Sequence, residues 1–373
     1  MREFVAAGLY LSGSLRVLQS ISRDYEVSNI PGRRFPRVGR VTGSKYVILC
    51  YHRVASGGFP FISSVTPQAF EAQMRFLRER YRIVSLEDLC LELKKPAASG
   101  QAVAVTFDDG YRDLYNSAFA ILKRYRIPAT IFLIANSMET GQVAWYDRIF
   151  LATHVYPGKT LALELDKPRE FELTSPRSRQ LAATHIVATL RRLPDERRRE
   201  CCAALERIVE LPAEELAERM LTWDQVREMQ QEGIAFGSHT VTHPVVSRLE
   251  ATAAEEELRE SKQILELRLG KPVKDFAYPF GQPADCGSDV EDLLRHCGYR
   301  SAVTTSRGIN SPSSDPYRLL RVQIGEERSL AMFAFRLNQL FLSSAEHDPR
   351  TNVAARPAPR GTSGESVEHS ISS

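Results

Sequence analysis

The chain has 373 residues, of which 43% are hydrophobic and 25% charged, a composition typical of a soluble globular protein that can bury a sizeable core. Its net charge of only +3, with no basic stripe interleaved with aromatic residues, gives no case for nucleic-acid binding. The six cysteines lack Cys-x-x-Cys spacing, so they favour a reduced compartment over a disulfide framework.

Residues 1–44 form an N-terminal extension ahead of the first predicted strand. The segment Phe4–Leu15 is free of charge, but it is too short for a membrane-spanning helix and lacks a clean signal-peptide cleavage site. We therefore expect a cytoplasmic or membrane-peripheral protein, and secretion stays open. An apolar stripe could form at Phe4, Leu9, Leu11, Leu15 and Leu18. Such a stripe is compatible with an amphipathic helix that lies on a membrane or docks onto the main domain.

Strands and helices alternate from residue 45 onward, which predicts an α/β fold with a parallel sheet. Thr66 is expected to cap a helix over 67–81, and the capping-box pattern Thr222–Gln225 opens another, which Gly233 ends. A third helix over 250–269 is closed by Gly270. The predicted strands lie near 46–51, 82–85, 102–108, 129–135, 234–238, 273–278, 300–305 and 319–324.

Two adjacent carboxylates, Asp108 and Asp109, end the strand predicted near 102–108. Folds of the α/β class place their chemistry at the C-terminal ends of parallel strands. Because neighbouring side chains of a strand point to opposite sides, we expect the two acids to have different roles. Taken alone, such a pair is more often a helix cap or a solvated turn.

A long stretch at about 138–221 interrupts the alternation, because it far exceeds an ordinary connection. It is rich in Arg, Glu, Leu and Ala from Ser178 to Met220, which predicts a helical insertion of two or three helices at the catalytic rim. Trp145 and Tyr146 lie at its start, beside Asp147. These residues are candidates for stacking on and hydrogen-bonding to a sugar ring, with core packing as the alternative for Trp145.

Two histidines, His239 and His243, follow the strand predicted near 234–238. Their one-turn spacing places both imidazoles on one side of the segment. Catalytic zinc takes three protein ligands and keeps a position for water, and two histidines with one carboxylate are a known form of this site. Together with Asp109 they predict a divalent-metal site, whereas His-x-x-x-His alone is equally compatible with an exposed helix face.

From Ser343 onward the chain is rich in Ser, Pro, Ala, Arg and Glu and has few apolar residues. Such a segment buries too little surface to offset its ordering entropy. We therefore expect one main domain over 45–343 and a disordered tail over 344–373.

Thr106–Gly110 and His239–His243 resemble the first two motifs of the polysaccharide deacetylase family, also called the NodB-homology or carbohydrate esterase family 4. The resemblance covers about residues 45–325. It implies a distorted, incompletely closed (β/α) barrel of seven or eight strands. It also implies that Asp108 is the general base and that Asp109, His239 and His243 bind the metal.

The segment Tyr278–Gly281 resembles the third motif of this family, in which the backbone N–H at the Phe280 position helps to hold the oxyanion. In many members, an arginine at the position of Ala277 pairs with the general base. This chain has alanine there, so the arginine that would act on Asp108 must be replaced or absent. Arg321 is a weaker candidate for orienting the base. With Trp145 and Tyr146, Tyr278 is a candidate for contacting the substrate.

The later motifs of the family are not in their common forms, which puts the usual histidine acid in doubt. The subgroup that this chain most resembles begins its domain with a Tyr-His pair, here Tyr51 and His52. His52 is therefore the candidate for the general acid or for an orienting group, unless it only caps its strand.

The family resemblance implies a metal-dependent hydrolase that removes N-acetyl, or sometimes O-acetyl, groups from a polysaccharide or glycan precursor. Zinc is the expected metal, with cobalt, nickel and manganese as alternatives. Two other functions stay open at this point: hydrolysis of a non-sugar C–N bond in an amide or cyclic ureide, and carbohydrate binding without catalysis. The sequence does not indicate an oligomeric state.

Overall fold

The computed structural model describes residues 44–56, 64–95, 100–211, 216, 219–325 and 329–342. Residues 1–43 of the predicted N-terminal extension and the predicted tail over 344–373 lie outside these ranges. None of the helices in the described ranges is both long and apolar enough to cross a membrane.

A parallel sheet, as the sequence predicts, curls into a nearly closed barrel, as the family resemblance implies. Its strands are β1 (Ser44–Tyr51), β4 (Arg82–Ile83), β5 (Gly100–Phe107), β6 (Ala129–Leu133), β9 (Ala235–Ser238), β10 (Asp275–Ala277), β11 (Ser301–Val303) and β12 (Arg321–Gln323). In the described residues, seven of them pair in the order β11-β10-β9-β6-β5-β1-β12, and β4 pairs with β5 beside this path. An isolated parallel bridge between Val303 and Leu319 links β11 to the chain just before β12.

The longest pairing in the barrel joins β1 to β5, from Ser44 opposite Gly100 to Tyr51 opposite Phe107. Both strands are almost continuously apolar, as expected of parallel strands covered on both faces, and their central residues are buried. Because the two strands end side by side, the residues that follow them lie at the same edge of the sheet. This register brings His52 close to Asp108.

Helices cover the barrel, and the predicted helix ends are confirmed. The Thr66 hydroxyl accepts the Ala69 N–H, the capping box of Thr222 and Gln225 is formed, and Gly270 ends its helix with φ 63°. In the described ranges, the α-helices outside the insertion include α1 (Pro67–Arg80), α2 (Leu86–Leu93), α3 (Ala120–Tyr125, preceded by a π-helix, Leu114–Phe119), α4 (Ala135–Thr140), α8 (Trp223–Gln231), α9 (Ala251–Leu269), α10 (Ser288–His296) and α11 (Leu330–Leu342).

In the described residues of the stretch predicted as a helical insertion, three helices begin, and a β-hairpin that the prediction lacks lies between them. The helices are α5 (Trp145–Val155), α6 (Pro176–Leu190) and α7 (Asp195–Ile208), and the antiparallel hairpin pairs β7 (Thr160–Glu164) with β8 (Pro168–Glu172). We call the unit from α5 to α7 the insertion. It has a hydrophobic core of its own. The alternation of exposed and buried residues in β7 is the period-two signal that would have revealed the hairpin.

A further short parallel pair, β2 (Arg53–Val54) with β3 (Ser64–Val65), lies close to the end of β1 and is also absent from the prediction. Each of these strands has only two residues, which is too short for a periodic pattern to indicate a strand.

Candidate metal centre and active site

Three side chains that could bind one metal ion meet at the C-terminal edge of the barrel. The Oδ1 atom of Asp109 lies 3.6 Å from Nε2 of His239 and 3.7 Å from Nε2 of His243, and all three side chains are buried. Ligands that bind one zinc ion tetrahedrally at about 2 Å lie about 3.3 Å from one another. Both distances from Asp109 are close to this value, and all three atoms lie within 4.8 Å of one another, so the set suits one divalent ion.

Unusual backbone angles place these ligands. Asp109 follows β5 with φ 74°, which turns its side chain away from that of Asp108. The histidine segment is a tight turn rather than the helical turn that the one-turn spacing suggests, because Thr240 has φ 68° and His243 has φ 58°. The two imidazoles nevertheless lie together, with ring centroids 4.7 Å apart.

The two histidines are oriented in different ways. The Nδ1 atom of His239 lies 2.7 Å from the Ala277 carbonyl oxygen, an arrangement that leaves Nε2 facing Asp109. The Nδ1 atom of His243 is buried and has no hydrogen-bond partner in the described part of the chain. Burial lowers the pKa of both imidazoles, which favours the neutral form that binds metals.

Asp109 is a carboxylate in an environment that disfavours its charge. Burial raises its pKa to about 6, although His52 and hydrogen bonding with the hydroxyls of Tyr146 and Tyr111 act in the opposite direction. A divalent ion would favour the ionised form of this carboxylate. The donor set and its electrostatics therefore both suit a metal.

Asp108 lies in the opposite environment. The Arg321 guanidinium donates to both of its carboxylate oxygens, at 2.8 and 2.7 Å, and both side chains are buried. Burial would raise the pKa of Asp108, but Arg321 outweighs burial and holds the pKa well below its ordinary value. Asp108 is therefore ionised at neutral pH.

Arg321 occupies the role that many family members give to an arginine at the position of Ala277. Ala277 is buried in β10, whereas Arg321 reaches Asp108 from β12. Its guanidinium also donates to the Thr304 carbonyl oxygen at 2.7 Å and to the Thr106 hydroxyl at 3.2 Å. Asp108 thus has an arginine partner, which comes from β12 instead of from the position of Ala277.

His52 lies at the rim of the site. Its Nε2 atom is 4.0 Å from Oδ2 of Asp108, and 32% of its side chain is exposed. This places a partly exposed imidazole beside Asp108. Its role as acid or orienting group stays a prediction.

Phe280 lies beside the candidate metal ligand His243. It has φ 59°, and its ring lies 4.9 Å from that of His243. Its carbonyl oxygen accepts a hydrogen bond from the Thr305 hydroxyl at 2.5 Å. Within the described ranges, no acceptor is bonded to its N–H. This donor is therefore available for the oxyanion role that the third motif predicts.

Of the three residues considered for substrate contact, the structure corrects Tyr278 and favours the alternative of core packing for Trp145. Tyr278 is 1% exposed and donates its hydroxyl to the Tyr317 carbonyl oxygen, so it packs inside the barrel. Trp145 is buried in the insertion core, and its indole N–H donates to the His243 carbonyl oxygen at 3.0 Å. Tyr146 is half-buried with its ring 4.9 Å from that of His243, and its contact with substrate stays a prediction.

The prediction also missed Cys50 and Tyr111 as neighbours of the site. The Cys50 thiol lies 3.5 Å from Oδ2 of Asp108. Tyr111 donates its hydroxyl at 2.6 Å to Asp147, which is buried and therefore cannot hydrogen-bond to a sugar as the sequence suggests. Burial raises the pKa of Asp147 to about 8. No local pattern distinguishes these residues from ordinary core residues.

The chain matches a protein-family model described as Polysaccharide deacetylase over residues 95–302, which is more than half of its length. This range contains Asp108, both histidines and Phe280. His52 and Arg321 lie outside it.

Two curated proteins and one solved structure show the same similarity. The Bacillus subtilis (strain 168) protein YxkH, provisionally named a polysaccharide deacetylase, is 24% identical over 78% of this chain and 75% of its own length. A poly-beta-1,6-N-acetyl-D-glucosamine N-deacetylase of Staphylococcus epidermidis is 36% identical over 20% of this chain and only 26% of its own length. The solved Streptococcus pyogenes deacetylase PplD, in complex with acetate, shares the fold with a TM-score of 0.55 at 22% identity, covering 81% of this chain and all of that one.

Proposed function

Because the chain belongs to the polysaccharide deacetylase family, we propose that it removes N-acetyl groups from a polysaccharide or glycan precursor by metal-dependent hydrolysis. The observation that carries this proposal is the pair of neighbouring buried carboxylates with different partners. Asp109 joins two histidines in a set that fits one ion, and Asp108 is paired with an arginine beside it. Binding of a carbohydrate without catalysis would not require a second carboxylate next to the ligand set.

The residues of the site divide the work of hydrolysis. When bound, a divalent ion acts as a Lewis acid and lowers the pKa of water. Asp108 takes the proton of the attacking water, whose oxygen bonds to the acetyl carbon. The Phe280 N–H donates to the carbonyl oxygen as it becomes negative, and one such donor typically contributes about 3 to 4 kcal/mol. The C–N bond then breaks, His52 supplies a proton to the departing amine, and acetate leaves.

For the substrate, we propose a glycan that contains N-acetylglucosamine. The local similarity to a Staphylococcus enzyme named for poly-beta-1,6-N-acetyl-D-glucosamine supports this sugar. The half-buried Tyr146, close to both His243 and Phe280, offers a ring against which the sugar would pack. O-acetyl groups are a second class of bond that the same chemistry would cleave.

For the metal, we propose zinc, because one carboxylate and two imidazoles form a common zinc ligand set. Cobalt, nickel and manganese are the alternatives, since affinity follows the ligand type only broadly and metal supply contributes to the choice.

Acetate release from N-acetylglucosamine oligomers tests the proposal. The full chain is assayed after treatment with a chelator, and again after addition of zinc, cobalt, nickel or manganese in separate reactions. We expect no release without metal and restored release with at least one ion. A protein that holds stoichiometric metal and releases no acetate from these oligomers would contradict the proposal and would favour a small amide or cyclic ureide as substrate.

A further inference from the structure

The insertion contacts a metal ligand directly, through the first residue of α5. The indole N–H of Trp145 donates to the His243 carbonyl oxygen at 3.0 Å, and this hydrogen bond is buried. The two residues are 98 positions apart in the chain. The insertion therefore supplies a backbone contact that the barrel strands do not provide.

His243 depends on such a contact more than His239 does. The ring of His239 is oriented by the Ala277 carbonyl oxygen, whereas Nδ1 of His243 has no hydrogen-bond partner in the described residues. His243 also has φ 58°, a left-handed conformation that side-chain-bearing residues adopt only when their surroundings enforce it. Its orientation must therefore come from its backbone contacts and from the rings around it.

Those contacts hold His243 from several directions. Its N–H donates to the Thr240 hydroxyl at 2.9 Å, within the same turn, and its carbonyl oxygen accepts from Trp145. The rings of Tyr146 and Phe280 each lie 4.9 Å from the imidazole. The insertion thus provides the partner of the carbonyl oxygen and one of the two flanking aromatic rings.

Trp145 is itself held rigidly. Its ring is part of the insertion core, and the Arg198 guanidinium lies over it at 5.0 Å. Arg198 is buried and donates to Asp195 at 2.8 and 2.5 Å, so this cation is also fixed. The position of the indole N–H therefore follows from the packing of the whole insertion.

We propose that Trp145 is a positioning residue for the metal ligand His243, and that the insertion controls the metal affinity of the site through its indole N–H. By holding the carbonyl oxygen of His243, Trp145 keeps Nε2 of that residue facing Asp109 and His239. The inference deepens the proposed function and rests on its metal dependence.

Two replacements of Trp145 test this role. Trp145→Phe removes the N–H donor, and benzothienylalanine at the same position keeps the shape of the ring while sulfur replaces the N–H group. Zinc affinity is measured by competition with a chromophoric chelator, and the unfolding transition of the metal-free protein is recorded beside it. We expect zinc affinity to fall about 10- to 100-fold in both variants, the usual effect of losing a residue that orients a metal ligand. At saturating zinc, the benzothienylalanine variant should regain turnover close to that of the wild type.

The chain offers a matched control, because it contains one other tryptophan. Trp223 lies at the start of α8 and donates its indole N–H to Glu139 at 3.1 Å, in an exposed pair. Trp223→Phe removes the same type of hydrogen bond from outside the site. We expect it to leave both zinc affinity and turnover unchanged.

The outcomes separate this inference from the function on which it rests. If the wild-type chain binds no divalent ion, the proposed function fails and the inference fails with it. If the wild type binds zinc and the benzothienylalanine variant binds it equally well, the positioning role is overturned while the metal-dependent function stands. Should Trp145→Phe unfold without metal, the benzothienylalanine variant decides the question, since it preserves the packing of the ring.

Discussion

The two sides of the candidate site contain carboxylates that are adjacent in sequence but opposite in electrostatic setting. On the base side, Asp108 is paired with a buried arginine that holds its pKa low. On the metal side, no Lys or Arg forms an ion pair with Asp109 in the described part of the chain, and burial raises its pKa to about 6. On the base side, the cation beside the carboxylate is a residue of the protein, Arg321. The metal side is suited to binding a metal cation. The difference shows that one strand end can hold two adjacent carboxylates in opposite electrostatic environments, as the proposed roles of base and metal ligand require.

The largest effects should come from removing the key group of each side. We expect Asp108→Asn to lower acetate release about 10²- to 10⁴-fold, the usual contribution of a general base, while the protein still binds one ion. The matched variant on the metal side, His239→Ala, should lose both the ion and turnover. Metal stoichiometry and acetate release measure the contrast. Undiminished release by Asp108→Asn would remove Asp108 from the base role.

Arg321→Met should disturb the base side strongly, because it leaves a buried carboxylate without its cation. We expect the variant to lose about 3 to 5 kcal/mol of unfolding free energy at neutral pH, measured by denaturant unfolding. The pKa of Asp108 should also rise, so the acidic limb of the pH–rate profile should move to higher pH.

The double variant Arg321→Met, Asp108→Asn is the control for this prediction, because a neutral amide needs no cation beside it. It should recover part of the stability that Arg321→Met loses. A double variant less stable than Arg321→Met would show that Arg321 acts through packing rather than through its charge.

Metal affinity should depend on pH through the metal side. Protons compete with the ion for Asp109, whose pKa is about 6, so affinity should fall about tenfold for each pH unit below 6. The pKa values of His239 and His243 are lowered by burial, so both imidazoles stay neutral to lower pH than usual. Asp109→Asn should bind metal more weakly but with little change between pH 5 and pH 7, about one unit either side of this pKa. A wild-type affinity that is constant over this interval would contradict the assignment.

The smallest expected effect concerns Asp147, behind the metal side. Its folded-state pKa of about 8 lies above the ordinary value of 3.8, so the stability it contributes is complete below that ordinary pKa and is lost as pH rises through about 8. We expect Asp147→Asn to stabilise the metal-free protein by about 1 to 3 kcal/mol above this pKa and to have little effect in acid. Denaturant unfolding across the pH range measures this difference in stability.

Asp224→Asn, at a side chain that is 89% exposed, is the control and should change stability by less than about 0.5 kcal/mol at any pH. A stabilisation by Asp147→Asn that is the same in acid and base would contradict the prediction.

Much of the barrel and the whole candidate metal-ligand set could be predicted from the sequence. Each of the eight predicted strands is present, because a buried parallel strand leaves a continuous apolar run that local reading detects. Asp109, His239 and His243 follow such runs, and the C-terminal ends of parallel strands meet at one edge. Their meeting could therefore be inferred without knowing which strands are neighbours.

Tertiary structure alone decided the partners of these residues. Arg321 reaches Asp108 because β12 pairs with β1 in the register that sets Arg321 opposite Ile48, and no local pattern encodes that register. Trp145 contacts His243, and Tyr278 is buried rather than lining the substrate site, because of packing between segments far apart in the chain. Local sequence determines which groups end the strands, since periodicity and turn residues act over a few positions. Long-range packing determines what those groups touch, since it depends on how the whole chain closes around the barrel.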